Sequence, residues 1–558
     1  MMPKPNPGQQ VPQRGADRLA RGLDQSGVKV VFSLSGNQIM PLYDALIEFS
    51  TRVVHARHEA AAVFMAEAFA RVSGEVGVAL VTAAPGFGNA LGALYSASMS
   101  EVPLVLLSGD SPVNLDGQGA FQQFDQVAAA SPFVKASVRL SPGDDPARII
   151  VDAIACAKDG VPGPVHIALP VDLLESVVNP VSGAQETDCI FGGTLSMEAA
   201  SSQIEKIAEI LEAAERPIIL VGPHLFRAGQ GELWAALSAT QSLPLVVLDS
   251  PRGLNDPAQG GLRELLRAAD CVFYLGKPVD FTSGIGASGV ITAGKIMAVS
   301  DYRSVLAHAE AVFGESLVVA EQINAVKTAS ALSRNKPHSF TNPDWLANRS
   351  HWRSVADTAL RHRRLADTSE QAIYSRDIIE AVTKSVSEAG QSILVCDGGE
   401  FGQWAQAFGT ADIKLTNGPS GAIGASLPYA IGAKIARPDA RVVAIMGDGT
   451  VGFHLAELET AAREQLGITI LVGNDSRWNA EYLIQKQNYG LDRTFGCELT
   501  TDTRYDLAAT GLSGDGCLVD DLSQLPGALS QGINTSRPVC INVKMPGAPA
   551  PRYTRFNI

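Results

Sequence analysis

Residues 441–475 read RVVAIMGDGTVGFHLAELETAAREQLGITILVGND, and this stretch decides the fold class. The apolar run up to Met446 predicts a buried strand that leads directly into the turn Gly447-Asp448-Gly449. A helical pattern follows, and residues 468–472 predict a second strand that ends at Asp475. Such a β-α-β unit belongs to a parallel sheet, and open α/β sheets bind ligands at the carboxyl ends of their strands. The sequence therefore predicts a ligand site at this edge.

The two aspartates of this stretch favour a metal site. Asp448 and Asp475 would place acidic oxygens beside glycine amides, a combination that can hold Mg²⁺ or Ca²⁺ against a diphosphate. A Gly-Asp-Gly sequence alone is more often an ordinary turn after a strand. On this stretch alone both interpretations stay open.

The composition is typical of a globular protein. The chain has 558 residues, of which 46% are apolar and 18% charged, and its length predicts several domains. The net charge of −14 argues against a nucleic-acid partner or an anionic membrane surface. The seven cysteines are scattered and form no CxxC pair, which predicts reduced thiols in a cytoplasmic protein. No apolar run is long enough to predict a transmembrane helix.

Strand and helix patterns alternate along the chain, which predicts parallel sheets with helices on both faces. We expect three α/β domains of similar size, two connecting segments and two tails. The second tail is rich in proline and basic residues, and we expect it to be either a lid or disordered. The predicted boundaries are a disordered tail at 1–15, domains at 16–182, 195–332 and 371–545, a linker at 333–370, and the possible lid at 546–558.

A second candidate functional residue, Glu59, lies far upstream. This residue follows a short predicted strand and begins a helix of small residues that reads EAAAVFMAEAFAR. An isolated glutamate at a helix start often does no more than compensate the helix dipole. The alanines would permit close approach of neighbouring elements, so a buried carboxylate is the second interpretation.

At this point the chain resembles the thiamine diphosphate-dependent enzymes of the acetolactate synthase, benzaldehyde lyase and 2-hydroxyacyl-CoA lyase branch. The matching segments occur in the family's order over nearly the whole chain, and together they are specific. They are RHEAAA at 57–62, TAAPGFGN at 82–89, GAFQQFDQ at 119–126, GPVH at 163–166 followed by Leu169-Pro170, GPSGAIG at 418–424, and the Gly-Asp-Gly turn.

The resemblance implies a fold and an assembly. The first domain would bind the aminopyrimidine ring of the cofactor, the third would bind its diphosphate and metal, and the middle one would be a degenerate Rossmann-like domain. The active site would form between subunits, so we expect a homodimer or a homotetramer acting on a small-molecule substrate.

The resemblance also implies residue roles. Glu59 would be the catalytic carboxylate that shares a proton with N1′ of the pyrimidine, as a buried carboxyl group with a raised pKa can. Asp448, Asp475 and the backbone carbonyl of Arg477 would bind Mg²⁺, although asparagine is commoner in the family at the position of Asp475. Ile423 would lie between the two cofactor rings. The remaining cofactor contacts would be Gly36, Pro85, Asn89, Gly421, Gly447, Gly449 and Thr450.

The substrate pocket is less defined, because each candidate residue can equally be a packing residue. The candidates match positions near the reacting end of the cofactor or just beyond the metal loop. They are Ser35, Phe121, Gln122, Trp478, Glu481 and Tyr482.

The leading functional interpretation is a thiamine diphosphate- and Mg²⁺-dependent lyase or carboligase. It would act on a 2-oxo acid or a 2-hydroxy carbonyl compound through a C2 ylide and an enamine. Its rivals are an acetolactate synthase that condenses two pyruvates, and a 2-hydroxyacyl-CoA lyase in which Arg552 and Arg555 meet a CoA phosphate. A flavin-linked oxidase and a non-catalytic regulator are two further possibilities. The segment LGKPVD at 275–280 lacks the arginine usual in flavin-binding relatives, which argues against FAD.

Overall fold

The computed structural model describes residues 13–178, 191, 200–226, 245–286, 289–334, 345, 373–387 and 390–551. The chain divides into two compact units, each of which is described by itself. The first is built from residues up to 70, 75–98 and 102–193, and the second from 71–74, 99–101 and the residues from 194 onward. Most of the predicted tails and of the 333–370 linker, with Arg552 and Arg555, lies outside the described residues.

The first unit is organised around a six-stranded parallel sheet. Its strands are β2 (Val30–Ser33), β3 (Arg52–His55), β4 (Gly77–Val81), β5 (Leu104–Asp110), β6 (Ala136–Arg139) and β7 (Pro164–Pro170), in the order β3-β2-β4-β5-β7-β6. Its helices are α1 (Gly15–Gln25), α2 (Met40–Leu46), α3 (Glu59–Ser73), α4 (Pro85–Met99), α5 (Gln126–Ala130), α6 (Pro146–Lys158) and α7 (Val171–Glu175).

The first described residues correct one boundary. β1 (Gln13–Arg14) pairs antiparallel with β8 (Val177–Val178), and α1 begins at Gly15. The predicted disordered tail therefore extends three residues too far. The reason is a long-range strand pairing, which local composition cannot reveal.

The second unit contains two further parallel sheets. The smaller one comprises β9 (Pro217–Val221), β10 (Leu245–Val247), β11 (Cys271–Leu275), β12 (Lys295–Ser300) and β13 (Leu317–Gln322), in the order β10-β9-β11-β12-β13. The helices in this part are α8 (Ser201–Glu212), α9 (Leu262–Ala268), α10 (Arg303–Phe313) and α11 (Ala325–Arg334).

The larger sheet of the second unit contains residues 441–475. Its strands are β14 (Ser392–Cys396), β15 (Ile413–Thr416), β16 (Arg441–Gly447), β17 (Ile468–Asn474), β18 (Asp515–Val519) and β19 (Val539–Lys544), in the order β15-β14-β16-β17-β19-β18. The helices are α12 (Ser375–Ser387), α13 (Gly399–Phe408), α14 (Ser426–Ala436), α15 (Asp448–Val451), α16 (Glu457–Arg463), α17 (Asn479–Tyr489), α18 (Tyr505–Gly511) and α19 (Leu525–Ile533).

Apolar residues on both faces of the strands explain the layered arrangement. In β9, Ile218 and Leu220 pack into one core, whereas Ile219 and Val221 pack into another on the opposite face. A parallel strand covered by helices on both faces needs such a continuous apolar run. The prediction of parallel α/β sheets is therefore confirmed. Within the described residues, no helix combines the length and the apolar character needed to cross a membrane.

Candidate active site

The carboxyl ends of β16 and β17 bring two acidic residues to one edge of the sheet. The strands pair in parallel up to Gly447 and Gly473, so Asp448 and Asp475 follow immediately at the same edge. Burial raises the pKa of Asp448 to about 6, against the opposing effect of nearby backbone N–H groups. Burial, and then the charge of Asp448, raise the pKa of Asp475 to about 7. We call Asp448 and Asp475 the acidic pair.

The acidic pair has the features of a cation site. One oxygen of Asp448 accepts a hydrogen bond from the Gly449 N–H at 2.9 Å, whereas its Oδ2 is buried with no partner among the described residues. Buried acceptors are nearly always satisfied, so an unpartnered carboxylate oxygen beside a second carboxylate fits a bound cation. The part of the chain that the structure describes contains no cluster of three His, Cys, Asp or Glu side chains suited to a metal. A cation here would therefore also need backbone or ligand oxygens.

The turn that carries Asp448 is shaped by close packing. A Cβ on Gly449 would lie 2.9 Å from the ring of Trp478, whereas one on Gly447 would meet nothing within 4 Å. Trp478 also packs edge-on against Phe453, with ring centroids 6.2 Å apart. The buried hydroxyl of Thr450 donates to the Gly447 carbonyl at 3.1 Å. Glycine at position 449 is therefore required by Trp478, and Thr450 supports the turn from within.

The loop after β17 positions the residues predicted beyond the metal site. Ser476 has a left-handed φ of 59°, and the Trp478 N–H donates to the Cys497 carbonyl at 2.6 Å. The Arg477 guanidinium lies over the Tyr482 ring, 4.5 Å from its centroid, so one face of that ring is covered. Glu481 is exposed on α17. Trp478 thus contacts the acidic turn, whereas Glu481 points to solvent.

A C-terminal segment, residues 546–551, runs beside the acidic pair. A Cβ on Gly547 would lie 2.8 Å from Oδ2 of Asp475, and the Asn479 side chain donates to the Ala548 carbonyl at 2.9 Å. The Trp404 indole N–H donates to the Pro549 carbonyl at 3.0 Å. Sequence reasoning assigned this segment only to a possible lid, because nothing local in it indicates these contacts.

The loop Gly418–Gly424 is held by an aspartate that sequence reasoning missed. Asp397 is fully buried at the end of β14, and its carboxylate accepts from the N–H groups of Gly398, Gly424 and Ser426 at 2.7, 3.0 and 3.3 Å. Burial raises the pKa of Asp397 to about 6, although these N–H groups oppose the shift. An Asp-Gly pair directly after a strand is the same signal that identified Asp448, so it could have been found.

The loop also presents the predicted cofactor contacts. Gly418, Gly421 and Gly424 all have positive φ, at 65°, 68° and 81°, a conformation that glycine adopts most easily. The half-buried Ile423 packs on Gly398, where a Cβ would lie 2.7 Å from its side chain. The glycines of the loop and Gly398 therefore let the Ile423 side chain protrude from a closely packed backbone.

In the first unit, Glu59 begins α3 and is buried to 8% exposure. Its Oε2 accepts a hydrogen bond from the Asn89 side chain at 3.0 Å, which joins two predicted cofactor contacts. A Cβ on Gly86 would lie 3.2 Å from Glu59 Oε1, and the preceding Ala84 has a φ of 45°. The buried residues that follow Glu59 are Ala60, Ala61, Ala62 and Val63. Glu59 is therefore a buried carboxylate at the start of a helix whose next residues are buried and apolar.

The remaining predicted residues of the first unit lie mostly on loops. A Cβ on Gly36 would clash with Thr82 at 2.3 Å, so only glycine fits there. Ser35 is exposed, and its hydroxyl lies 3.0 Å from Nε2 of His55, a residue that sequence reasoning did not single out. Phe121 is 75% exposed, and Pro85 is the first residue of α4.

Gln122 has a left-handed φ of 59°. It accepts a hydrogen bond at 2.6 Å from Gln38, which sequence reasoning also missed.

Comparisons with known proteins indicate the family to which the chain is related. Residues 13–129 match the N-terminal thiamine pyrophosphate-binding domain of thiamine pyrophosphate enzymes, and residues 397–543 match the C-terminal one. The 2-hydroxyacyl-CoA lyase 2 of Danio rerio is 30% identical over 563 residues, which cover 92% of this chain and 88% of that protein. The human protein of the same name is 29% identical, covering 95% of this chain and 90% of the relative.

A second group of relatives bears a different name. An acetolactate synthase large subunit of Mycobacterium tuberculosis is 27% identical over 541 residues, which cover 94% of each chain. The matched N-terminal domain contains Glu59, and the matched C-terminal domain contains the acidic pair. The chain therefore belongs to the thiamine pyrophosphate enzyme family.

Proposed function

We propose that this protein is a thiamine diphosphate- and Mg²⁺-dependent lyase that cleaves the C1–C2 bond of 2-hydroxyacyl thioesters. The observation that carries the cofactor assignment is the acidic pair, in which Asp448 Oδ2 is buried without a partner among the described residues. Asp448 is buried and Asp475 is half-buried, and two such carboxylates with raised pKa values are stabilised when a divalent cation neutralises them.

The acidic pair and the Arg477 carbonyl would hold the Mg²⁺ ion, and diphosphate oxygens would complete its coordination. Gly447 leaves open space at the turn, so a phosphate can approach the backbone there. Asp397 would act indirectly, because it fixes the loop that presents Gly421 and Ile423. Protein groups on this side thus bind and orient the cofactor.

Glu59 would hold the proton at N1′ of the aminopyrimidine. Bound thiamine diphosphate supplies the electron sink that makes cleavage next to a carbonyl possible. A carboxyl group can share a hydrogen-bonded proton with a ring nitrogen that lies against it. Asn89 would orient the Glu59 carboxyl through their 3.0 Å hydrogen bond.

A pocket next to the cofactor loop supports a thioester substrate of coenzyme A. It has a volume of about 460 Å³ and is lined by Pro251, Arg252, Asn255, Arg263 and Glu264, among others. Pro251 lies against the loop, because a Cβ on Gly421 would be 3.3 Å from it. Guanidinium groups bind phosphates in a bidentate manner, and coenzyme A carries several phosphate groups.

A product analysis tests the proposed reaction. A 2-hydroxyacyl-CoA should give an aldehyde one carbon shorter and formyl-CoA, detected by mass spectrometry with thiamine diphosphate and Mg²⁺ present. Asp448→Asn is the negative control. Wild-type protein that leaves the thioesters intact under these conditions would refute the proposal.

A kinetic comparison tests whether the pocket lined by Arg252 and Arg263 binds coenzyme A. Arg263→Gln should raise the KM for the CoA thioester about tenfold, while the same acyl group on N-acetylcysteamine reacts unchanged. Arg303→Gln is a matched control, since Arg303 pairs with Glu310 on the surface of the same unit. An equal loss with both thioesters would argue against a CoA site at this pocket.

Acetolactate synthesis is the second candidate, because the mycobacterial relative bears that name. Two pyruvates would then give acetolactate and CO₂. Acetolactate formed at a higher kcat/KM than any thioester cleavage would make this the function. The same assay without added flavin separates both reactions from a flavin-linked oxidase.

We also propose that the protein acts as a homodimer or a homotetramer with cofactor sites shared between subunits. Phe121 and Phe124 are 75% and 46% exposed in the described chain, although both are large apolar residues. Such side chains are typical of surfaces that a partner covers. Light scattering after gel filtration would measure the mass, and a monomer with full activity would contradict this assembly.

A further inference from the structure

Three side chains of the first unit form a hydrogen-bond chain that ends at Gln122. The Thr82 hydroxyl donates to Oε1 of Gln38 at 2.7 Å, and Nε2 of Gln38 donates to Oε1 of Gln122 at 2.6 Å. Gln38 is buried to 7% exposure in the short 3₁₀ helix Asn37–Ile39. A buried amide with both ends bonded has a fixed orientation.

The direction of these hydrogen bonds determines which groups Gln122 can bind. Because its carbonyl oxygen accepts from Gln38, the two N–H donors of Gln122 point away from Gln38. Gln122 itself is half-buried, so these donors face a partly accessible space. They would bind an acceptor oxygen, such as a carbonyl or a carboxylate.

The backbone around Gln122 is in a conformation that needs support from neighbouring residues. Gln122 has a left-handed φ of 59°, a strained conformation for a non-glycine residue that persists only where the surroundings impose it. Its neighbour Phe121 is largely exposed, and Gly117 and Gly119 before it both have positive φ. The hydrogen bond from Gln38 ties the side chain of Gln122 to a buried residue outside this loop, so it constrains the loop at this position.

Gly109 allows Gln38 to pack closely against strand β5. A Cβ at position 109 would be 2.7 Å from Cβ of Gln38 and 3.0 Å from the side chain of Ile39. The glycine in β5 is therefore explained by the close approach of the 3₁₀ helix. A larger residue would displace Gln38 from Gln122.

We infer that Gln38 is a positioning residue that turns the N–H donors of Gln122 toward an oxygen of the substrate. The inference rests on the proposed function, since it assumes a carbonyl substrate in this part of the site. Donors aimed at an oxygen that gains negative charge during the reaction contribute mainly to kcat. Gln38 would act through Gln122 and have no contact with the substrate itself.

Gln38→Glu gives the sharpest test. An ionised carboxylate can only accept hydrogen bonds, so the Gln122 amide would reverse and present its carbonyl to the substrate. We expect kcat to fall about tenfold or more at pH 8, with recovery as the pH is lowered and the introduced carboxyl group gains a proton that it can donate to Gln122. A loss that is the same across the pH range would overturn the inference.

Gln38→Met is the companion variant, and Thr51→Val is its control. Thr51 is also a buried polar residue of this unit, and its hydroxyl donates to the Val28 carbonyl at 3.0 Å. We expect Gln38→Met to lower kcat about tenfold with little change in KM, whereas Thr51→Val should affect stability alone. A kcat for Gln38→Met within about twofold of wild type would also overturn the inference.

A readout without turnover separates this inference from the proposed function. Hydrogen–deuterium exchange of residues 117–125 should speed up in Gln38→Met and stay unchanged in Thr51→Val. If the wild-type enzyme has no activity on any substrate, the proposed function fails, and the exchange result still decides whether Gln38 holds the loop. Unchanged exchange in Gln38→Met would refute its positioning role.

Discussion

The acidic pair of the second unit and the Glu59 pocket of the first unit both contain buried carboxylates, but their surroundings differ. Asp448 and Asp475 are close enough for the charge of one to raise the pKa of the other, and one oxygen has no partner among the described residues. Glu59 is a single carboxylate with Asn89 as a hydrogen-bond partner and alanines beside it in sequence. Charge neutralisation therefore suits the first site, whereas the second site offers a single hydrogen-bonding carboxyl group.

This difference predicts that the two carboxylate sites fail in different ways. Loss of charge at the acidic pair should weaken cofactor binding, because the proposed site for metal and diphosphate lies there. Loss of the carboxyl group at Glu59 should impair turnover while the cofactor still binds. Single substitutions at the three carboxylates can separate these two kinds of failure.

The largest effect is expected for Glu59→Gln. The amide cannot share a proton with N1′, so kcat should fall about 10²- to 10⁴-fold while thiamine diphosphate affinity changes little. Steady-state kinetics and fluorescence titration with the cofactor measure the two quantities. Glu48→Gln, an exposed change in the same unit, should behave like wild type. Near-normal turnover of Glu59→Gln would contradict a catalytic role for Glu59.

Asp448→Asn should act on affinity. Loss of a metal-binding carboxylate is expected to weaken thiamine diphosphate binding at fixed Mg²⁺ by more than the roughly 10- to 100-fold that outer-shell partners of a metal typically contribute. Excess Mg²⁺ should restore part of the binding. Calorimetric titration at two Mg²⁺ concentrations measures this, and an affinity equal to that of wild type would contradict a metal at Asp448.

Asp475→Asn should have a smaller effect, within about tenfold, because an amide oxygen can still bind Mg²⁺ and the repulsion from Asp448 disappears. The same titration as for Asp448→Asn provides the measurement. A loss as large as that of Asp448→Asn would mean that the charge at position 475 is essential, and the comparison of the two aspartates would need revision.

The smallest effect concerns stability of the first unit. His166 lies between the hydroxyls of Ser108 and Ser137, each 2.8 Å from a ring nitrogen, and burial lowers its pKa from 6.5 to about 3. Between these two pKa values, the unfolded chain binds more protons at His166 than the folded chain does. The contribution of His166 to stability is therefore full above pH 6.5 and is lost as the pH falls toward 3.

His166→Gln should remove that dependence. Urea unfolding at pH 8 and pH 5 should show a larger acid-induced loss for wild type than for the variant. Phe87 of α4 packs on His166 with ring centroids 4.9 Å apart, so the loss is expected in the unit that carries Asn89. Parallel pH dependences of the two proteins would contradict the assignment.

Local patterns predicted much of this molecule. The run before Gly447 predicted β16, the next apolar run predicted β17, and parallel pairing then placed Asp448 and Asp475 at one edge. Glu59 was predicted at the start of a helix of small residues, where α3 begins. These features depend on short-range periodicity and on rules for parallel sheets.

Contacts between residues distant in sequence were not predictable. Gln38 meets Gln122 across 84 positions, and Asp397 reaches Gly424 across 27. Asn479 meets Ala548 across 69 positions, which places the C-terminal segment beside Asp475. No local pattern encodes such pairs, because a hydrogen bond between two loops depends on the tertiary structure that brings them together.

The most direct test of the central claim is complementation between two variants, assayed at a Mg²⁺ concentration at which Asp448→Asn alone is inactive. If Glu59 and the acidic pair serve one cofactor site formed across two subunits, a mixed dimer of Glu59→Gln and Asp448→Asn contains one intact site. Co-expression of the two variants should then restore about a quarter of wild-type activity, because half of the dimers are mixed and each has one of two sites. Activity that stays at the level of the separate variants, with mixed dimers shown to form, would contradict the claim.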